Sequence, residues 1–168
     1  MFVLGIETSC DETAAAVIGP EGVICDVVYT QDIHQQFGGV VPELAGRAHA
    51  EKVVATTRAA LERAGIERPD GVAATAGPGL MGAVLVGLCF GKAAAAGWGV
   101  PFIGVNHLEG HLLSSLLEDP APRYPFLSLV VSGGHTTLYV ARGLDDYTVL
   151  GQTVDDAAGE VFDKVARM

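Results

Sequence analysis

The amino-acid sequence predicts an α/β fold in which one arrangement of strands and helices is used twice. Three observations predict it. Short apolar runs alternate with longer runs of helical periodicity, as in a sheet crossed by helices. The elements read βββαβαβα, stop at a proline-rich break, and restart as βββα. A shift of 124 residues lays Phe2 on Phe126, Thr13 on Thr137, Gly19 on Gly143 and Asp32 on Asp156, and the polar turn 8–12 on 132–136.

Each element follows from its residues. Residues 2–8 are a buried strand and 13–18 a second, small and apolar one. After the tight turn Pro20-Glu21-Gly22, Gly22–Thr30 is a third, with Val23, Cys25, Val27 and Tyr29 on one face. A loop rich in Gln, Asp and Gly runs to Gly38-Gly39. Pro42 opens a helix ending at Ala64, with Gly65 as its stop and Leu44, Ala48, Val53, Val54 and Leu61 at helical spacing. Residues 71–76 are a strand. Residues 80–98 are a helix apolar almost all round, which predicts burial between layers of one three-layer lobe over 2–117. Strand 101–105 leads to Asn106, a cap for a helix over 107–117. The linker is 119–122, with two prolines. Strands Phe126–Val131, Thr136–Ala141 and 147–150 follow, then a helix from Asp156 to Met168. The domains predicted are 1–118, a complete lobe, and 126–168, the truncated beginning of a second. No stop signal precedes Met168, so a fragment of a longer protein is expected.

Composition narrows the function. Apolar residues at 49% against charged residues at 18% are a globular balance. A net charge of −10 argues against a nucleic-acid binder acting alone, though not against RNA contact through a basic partner or a local patch. Cys10, Cys25 and Cys89 form no CxxC pair, which argues against a disulfide framework or thiolate zinc and for a reducing cytoplasm. The N-terminus carries no secretory pattern. Residues 71–91 lack charge, but Gly77-Pro78-Gly79 breaks them into strand, turn and helix, so no membrane span is expected.

Three motifs carry chemistry. The turn Glu7-Thr8-Ser9-Cys10-Asp11-Glu12-Thr13 joins two strands with three acids. Such a turn offers hydroxyls and N–H groups to phosphate and a carboxylate to a metal, water or nucleophile; an ordinary polar hairpin also fits. Cys10 reads as a nucleophile or as a small buried side chain. The turn Val131-Ser132-Gly133-Gly134-His135-Thr136 reads as a phosphate cradle or as a type I′ hairpin with Gly-Gly at its centre. His107-Leu108-Glu109-Gly110-His111 puts two imidazoles one helical turn apart, a spacing that binds a divalent metal given a third ligand, or two solvated histidines. It is not HExxH.

Other matches are weaker. Gly77-Pro78-Gly79-Leu80-Met81-Gly82 fits GxGxxG, but no acid lies about 20 residues on, so its glycines read as letting a helix start close to the sheet. Gly87 to Ala93 resembles a P-loop, one residue short and without its Ser/Thr. Arg47, Lys52, Arg58 and Arg63 read as a solvated helix face, or as a partner or RNA contact.

In order and spacing, GIETSCDET, VVPELAGRAH, AGPGL, NHLEGH, VVSGGHT and GEVFDKVAR resemble the universal tRNA threonylcarbamoyltransferase family, TsaD in bacteria, over essentially the whole chain. The resemblance implies an actin/sugar-kinase-like (ASKHA) fold of two duplicated lobes. It implies transfer of a threonylcarbamoyl group from threonylcarbamoyl-adenylate to N6 of adenosine 37 of tRNA. It implies His107 and His111 as ligands of one divalent metal, Fe2+ or Zn2+, with a third ligand, an Asp, past position 168. Val130, Val131, Ser132, Gly133, Gly134 and Asp163 would contact the adenylate or an ATP-type nucleotide. Asp11 would orient the attacking amine, with Glu12 and His135 as polar support. The implied partners are a TsaB-like paralogue, a TsaE-like ATPase and tRNA through the complex, in a cytoplasmic hetero- or homo-oligomer paired through the helices Pro42–Ala64 and 80–98. As an isolated fragment the chain is expected to be inactive. Two other readings are a non-catalytic TsaB-like scaffold, which needs no histidine pair, and an ATP-dependent small-molecule kinase of the same fold.

Overall fold

The computed structural model describes every residue except Arg167, and the side chains of all of these except Gln35. Strands β1 (Val3–Glu7), β2 (Glu12–Gly19) and β3 (Gly22–Thr30) form an antiparallel meander. Strands β4 (Gly71–Gly77) and β5 (Phe102–Asn106) add in parallel beyond β1, giving the order β3-β2-β1-β4-β5. Alternation sends Leu4 and Ile6 of β1 and Thr13, Ala15 and Val17 of β2 inward, with Ile6 opposite Ala15 and Leu4 opposite Val17. Alanine-rich β2 is a poor intrinsic strand; pairing on both sides makes it one.

Helix α1 (Pro42–Ala64) starts on a proline and ends on Gly65, which takes φ 68° and donates its N–H to Glu62 at 3.1 Å. Its buried face is Ala45, His49, Val53, Thr56, Thr57 and Ala60. The expected stripe shares only Val53 with it: Leu44, Ala48 and Leu61 flank the face, and Val54 is exposed. The reason is distance. Small side chains let the helix lie close on the sheet, so the larger ones are displaced to the flanks.

Helix α2 (Met81–Trp98) buries Ala83, Val84, Gly87, Gly91 and Ala95 and leaves Met81 and Leu85 exposed. This corrects the expectation of burial on all sides. Uniform apolarity gave no direction; the small residues at successive i, i+4 positions chose the face. By length and composition α2 could cross a membrane. Helices α1 and α2 touch each other and share one core with the strands, made of Leu4, Ile6, Ala15, Val17, Val53, Ala60, Val72, Ala74 and Ala95. Within Met1–His107 the sheet and these two helices make two layers. The loop expected before α1 holds a 3-10 helix, Asp32–Phe37, closed by Gly38 at φ 67°.

The chain divides into two compact units, Met1–His107 and Leu108–Met168. Helix α3 (His107–Ser114), continued by a 3-10 turn at Ser115–Leu117, begins at that division, ahead of the prolines from which the sequence placed the linker. The reason is Leu112, which packs with Val130, Tyr139 and Ala141 in the second core. Strands β6 (Phe126–Val131), β7 (Thr136–Ala141) and β8 (Tyr147–Gln152) form a second antiparallel meander in the order β6-β7-β8. It repeats the first, and Thr13 and Thr137 are buried at matching positions. Helix α4 (Ala158–Ala166) begins two residues later than expected, Arg167 of its expected span lies outside the described residues, and Met168 is not helical.

Candidate functional site

The β1–β2 turn is seated on α2. The Thr8 hydroxyl donates to the Ala83 carbonyl at 2.8 Å and accepts the Gly87 N–H at 3.1 Å, and the Leu80 N–H donates to the Ser9 carbonyl at 2.8 Å. A Cβ on Gly87 would lie 2.3 Å from the Thr8 hydroxyl oxygen, and one on Gly79 would lie 2.6 Å from the Ser9 carbonyl oxygen. Close approach therefore accounts for Gly79 of the GxGxxG match and for Gly87 and Gly91 of the P-loop lookalike, whereas Gly77 takes a positive φ of 135°.

From the end of β1, the Glu7 carboxylate accepts from the Ser9 N–H, the Thr75 hydroxyl and His107 Nδ1, the last at 3.3 Å. The Ser9 hydroxyl is 3.2 Å from the same Nδ1. Burial alone would raise the Glu7 carboxyl. The hydrogen bonds from His107, Ser9 and Thr75 outweigh it and hold Glu7 at about 2. A carboxylate only accepts, so Nδ1 carries a proton toward Glu7, and Nε2 is the ring's other nitrogen. Carboxylates orient metal-binding histidines in this way. His111 lies one turn along α3, exposed, and its carbonyl accepts from Ser114. The donor set thus fits a divalent metal as far as it goes. Among the described residues no group of three His, Cys, Asp or Glu side chains completes such a site.

Asp11 is half-buried and Glu12 exposed, the latter accepting from the Thr30 hydroxyl at 3.2 Å across the β2–β3 ladder. Cys10 is exposed, against the expected burial. Desolvation by its neighbours, then the adjacent Asp11 carboxylate, pushes its thiol up to about 11, which disfavours a thiolate. His49 Nε2 meets the Cys10 carbonyl at 3.0 Å.

In the second unit, residues 132–135 join β6 to β7. The Ser132 N–H donates to the His135 carbonyl at 2.8 Å, and the His135 N–H donates to the Ser132 hydroxyl at 3.0 Å. Neither Gly133 nor Gly134 has positive φ, which excludes the type I′ turn, and nothing lies within 4 Å of where their Cβ atoms would be. The loop has open space beside its backbone. The start of α4 abuts it: the Gly159 N–H donates to the Ser132 carbonyl at 3.2 Å, and the Thr136 hydroxyl accepts the Ala158 N–H at 2.8 Å. Val131 is exposed, and Asp163 is exposed on α4. The Val130 side chain is in the core, so only its backbone could meet a ligand. Glu109, between the two histidines in sequence, accepts from the Tyr147 hydroxyl; that bond, then burial, pushes Tyr147 up to about 12.

Sequence reasoning grouped Glu7 with the acidic turn without giving it a partner, and it missed Thr75, His49, Gln31 and Tyr147. His49 alone had a local signal, since it falls four residues from both Ala45 and Val53 on the buried face of α1.

The TsaD family, described as tRNA N6-adenosine threonylcarbamoyltransferase, matches residues 22–168. The tRNA N6-adenosine threonylcarbamoyltransferase of Anaeromyxobacter dehalogenans strain 2CP-C is 58% identical over 170 residues, covering 99% of this chain and 51% of that protein. That of Anaeromyxobacter sp. strain Fw109-5 is 56% identical over 173 residues, covering 100% and 52%. The chain thus spans about half the length of these curated relatives. Among solved structures, YeaZ from Pseudomonas aeruginosa superposes with a TM-score of 0.62 at 16% identity, over 90% of this chain and 66% of that one. The ROK hexokinase from Thermus thermophilus does so with a TM-score of 0.51 at 21% identity, over 89% and 49%. These likenesses carry the fold alone, an α/β fold of the actin/sugar-kinase-like (ASKHA) kind.

Proposed function

The chain belongs to the TsaD family, and from that premise we propose that it forms part of a tRNA N6-adenosine threonylcarbamoyltransferase. The reaction is acyl transfer from threonylcarbamoyl-adenylate to N6 of adenosine 37 of tRNA. The observation that carries this reading is the Glu7 carboxylate on His107 Nδ1 at 3.3 Å. It turns a spacing of two histidines into an oriented ligand nitrogen.

In this reading His107 and His111 hold one divalent metal, Fe2+ or Zn2+, with a further ligand from outside the chain. The metal, when bound, would supply Lewis-acid chemistry to the transfer. Ser132, Gly133 and Gly134 offer open backbone to the nucleotide, flanked by Val131, by Val130 through its backbone and by Asp163 on α4. Asp11 orients the adenosine amine and accepts its hydrogen bond. Glu12 and His135 add polar support. The partners are a TsaB-like paralogue, a TsaE-like ATPase and tRNA, in the cytoplasm.

The test uses the full-length protein with its partners. His107→Ala with His111→Ala is expected to abolish both bound metal, by elemental analysis, and transfer, by nucleoside mass spectrometry, with an unchanged circular dichroism spectrum. Full transfer by the double variant in metal-free buffer overturns the reading.

A further inference from the structure

We propose that His49 is a positioning residue: from α1 it fixes the backbone of the β1–β2 turn and thereby the presentation of Asp11. His49 is 0% exposed, so it touches no substrate. Its Nε2 is 3.0 Å from the Cys10 carbonyl, and its Nδ1 is 2.8 Å from the Thr13 hydroxyl. A carbonyl only accepts, so Nε2 carries the proton and the Thr13 hydroxyl donates to Nδ1.

The surrounding network agrees with that assignment. The Val41 N–H donates to His34 Nδ1 at 3.3 Å, so His34 Nε2 carries that ring's proton and donates to the Gln31 amide oxygen at 2.8 Å. The Gln31 amide nitrogen then faces the Ala45 carbonyl at 3.4 Å, and it lies 3.3 Å from both ring nitrogens of His49. The Gln31 backbone N–H donates to the Asp11 carbonyl at 3.0 Å. The carbonyls of Cys10 and Asp11 are therefore both held by a buried network rooted in α1 and the 3-10 helix.

A neutral Nε2–H ring satisfies the two shortest contacts, donating to the Cys10 carbonyl and accepting from the Thr13 hydroxyl, while the Gln31 amide nitrogen keeps the Ala45 carbonyl as its acceptor. The charged groups facing it pull in opposite directions: the Glu7 and Asp11 carboxylates favour protonation, whereas burial and His34 oppose it, and burial dominates. The weight given to Asp11 rests on the proposed function; the hold on the turn does not.

The first arm of the test uses the 168-residue chain. Nitrogen NMR of labelled histidine is expected to show His49 as the neutral Nε2–H tautomer from about pH 5.5 to 8. An imidazolium or an Nδ1–H tautomer in the folded chain overturns the proposal. His49→Phe is expected to speed amide exchange over residues 9–12 by about tenfold relative to β4, and His49→Gln, which keeps a donor toward Cys10, to restore it. Unchanged exchange in the Phe variant overturns the proposal. If that variant does not fold, the tautomer and the protection of the turn in His49→Gln decide. The second arm uses the full-length protein with its partners. His49→Phe is expected to lower kcat roughly 10–100-fold with KM for tRNA little changed, and His49→Gln to recover it. A loosened turn with undiminished kcat overturns the link to Asp11. A wild-type protein that transfers nothing overturns the proposed function instead and leaves the first arm as the test of His49.

Discussion

Glu7 and His49 show two outcomes of one competition between burial and hydrogen bonding. At Glu7 three donors outweigh burial and the carboxylate stays charged; at His49 burial wins and the ring stays neutral. Each outcome has a measurable consequence. In the metal-loaded full-length protein, Glu7→Gln is expected to weaken metal affinity roughly 10–100-fold, read by competition with a chromophoric chelator; unchanged affinity contradicts the orienting role. For His49 the sign follows from linkage. The folded ring binds its proton less readily than the unfolded one, whose ordinary value is 6.5, so its contribution is full above that pH. It is lost as the pH falls below 6.5 toward the depressed folded value. Urea unfolding of the chain is expected to show stability falling with that acidification, and His49→Gln, which does not titrate, to lose that part of the slope. An identical slope in the variant rules out His49 as its source.

Helix α2 is fitted to the turn by what its residues lack. A methyl on Gly87 would sit 2.3 Å from the Thr8 hydroxyl oxygen, and Thr8 is buried, with that hydroxyl bonded twice to α2. Gly87→Ala is therefore expected to destabilise by about 3 kcal/mol, despite the better helix propensity of alanine. Thermal unfolding would register this as a loss of roughly 10 °C. A neutral or stabilising substitution would show that the approach is looser than described. The same device recurs at α4, where a Cβ on Gly159 would lie 2.6 Å from the Ser132 carbonyl oxygen. Gly159→Ala is expected to displace the 132–135 loop and weaken nucleotide binding in the full-length protein, measured by calorimetry; full affinity contradicts it.

Across the molecule, apolar surface is unevenly covered. One face of the β6–β8 sheet carries Val130, Tyr139 and Ala141 into a core, whereas Leu127 and Leu129 are more than 60% exposed. Phe162 and Val165 on α4 and Met81 and Leu85 on α2 are exposed as well. Exposed apolar side chains of this kind favour association in water. The isolated 168-residue chain is expected to self-associate with rising concentration, and Leu127→Lys with Leu129→Lys to reduce this. Light scattering that shows a monomer at high concentration contradicts the expectation.

The sequence by itself determined the strands, the helices and the repeat. The short apolar runs of the strands, the proline and glycine that bound α1, and the 124-residue correspondence are local or periodic signals, legible without contacts. Residue type and spacing also marked the acidic turn 7–13, the His107–His111 pair and the loop 132–135, and the family resemblance singled out Asp11 within that turn. Only the tertiary structure decided which face α2 buries, since a helix apolar all round has no preferred side until small residues meet a neighbour. Only it decided that Val130 belongs to a core and that the Gly133-Gly134 loop needs no left-handed backbone. It also brought Glu7 to His107, 100 residues away, and His49 to Cys10, 39 away. Such partnerships arise from chain folding over long separations, and no local pattern encodes which buried polar group will satisfy which.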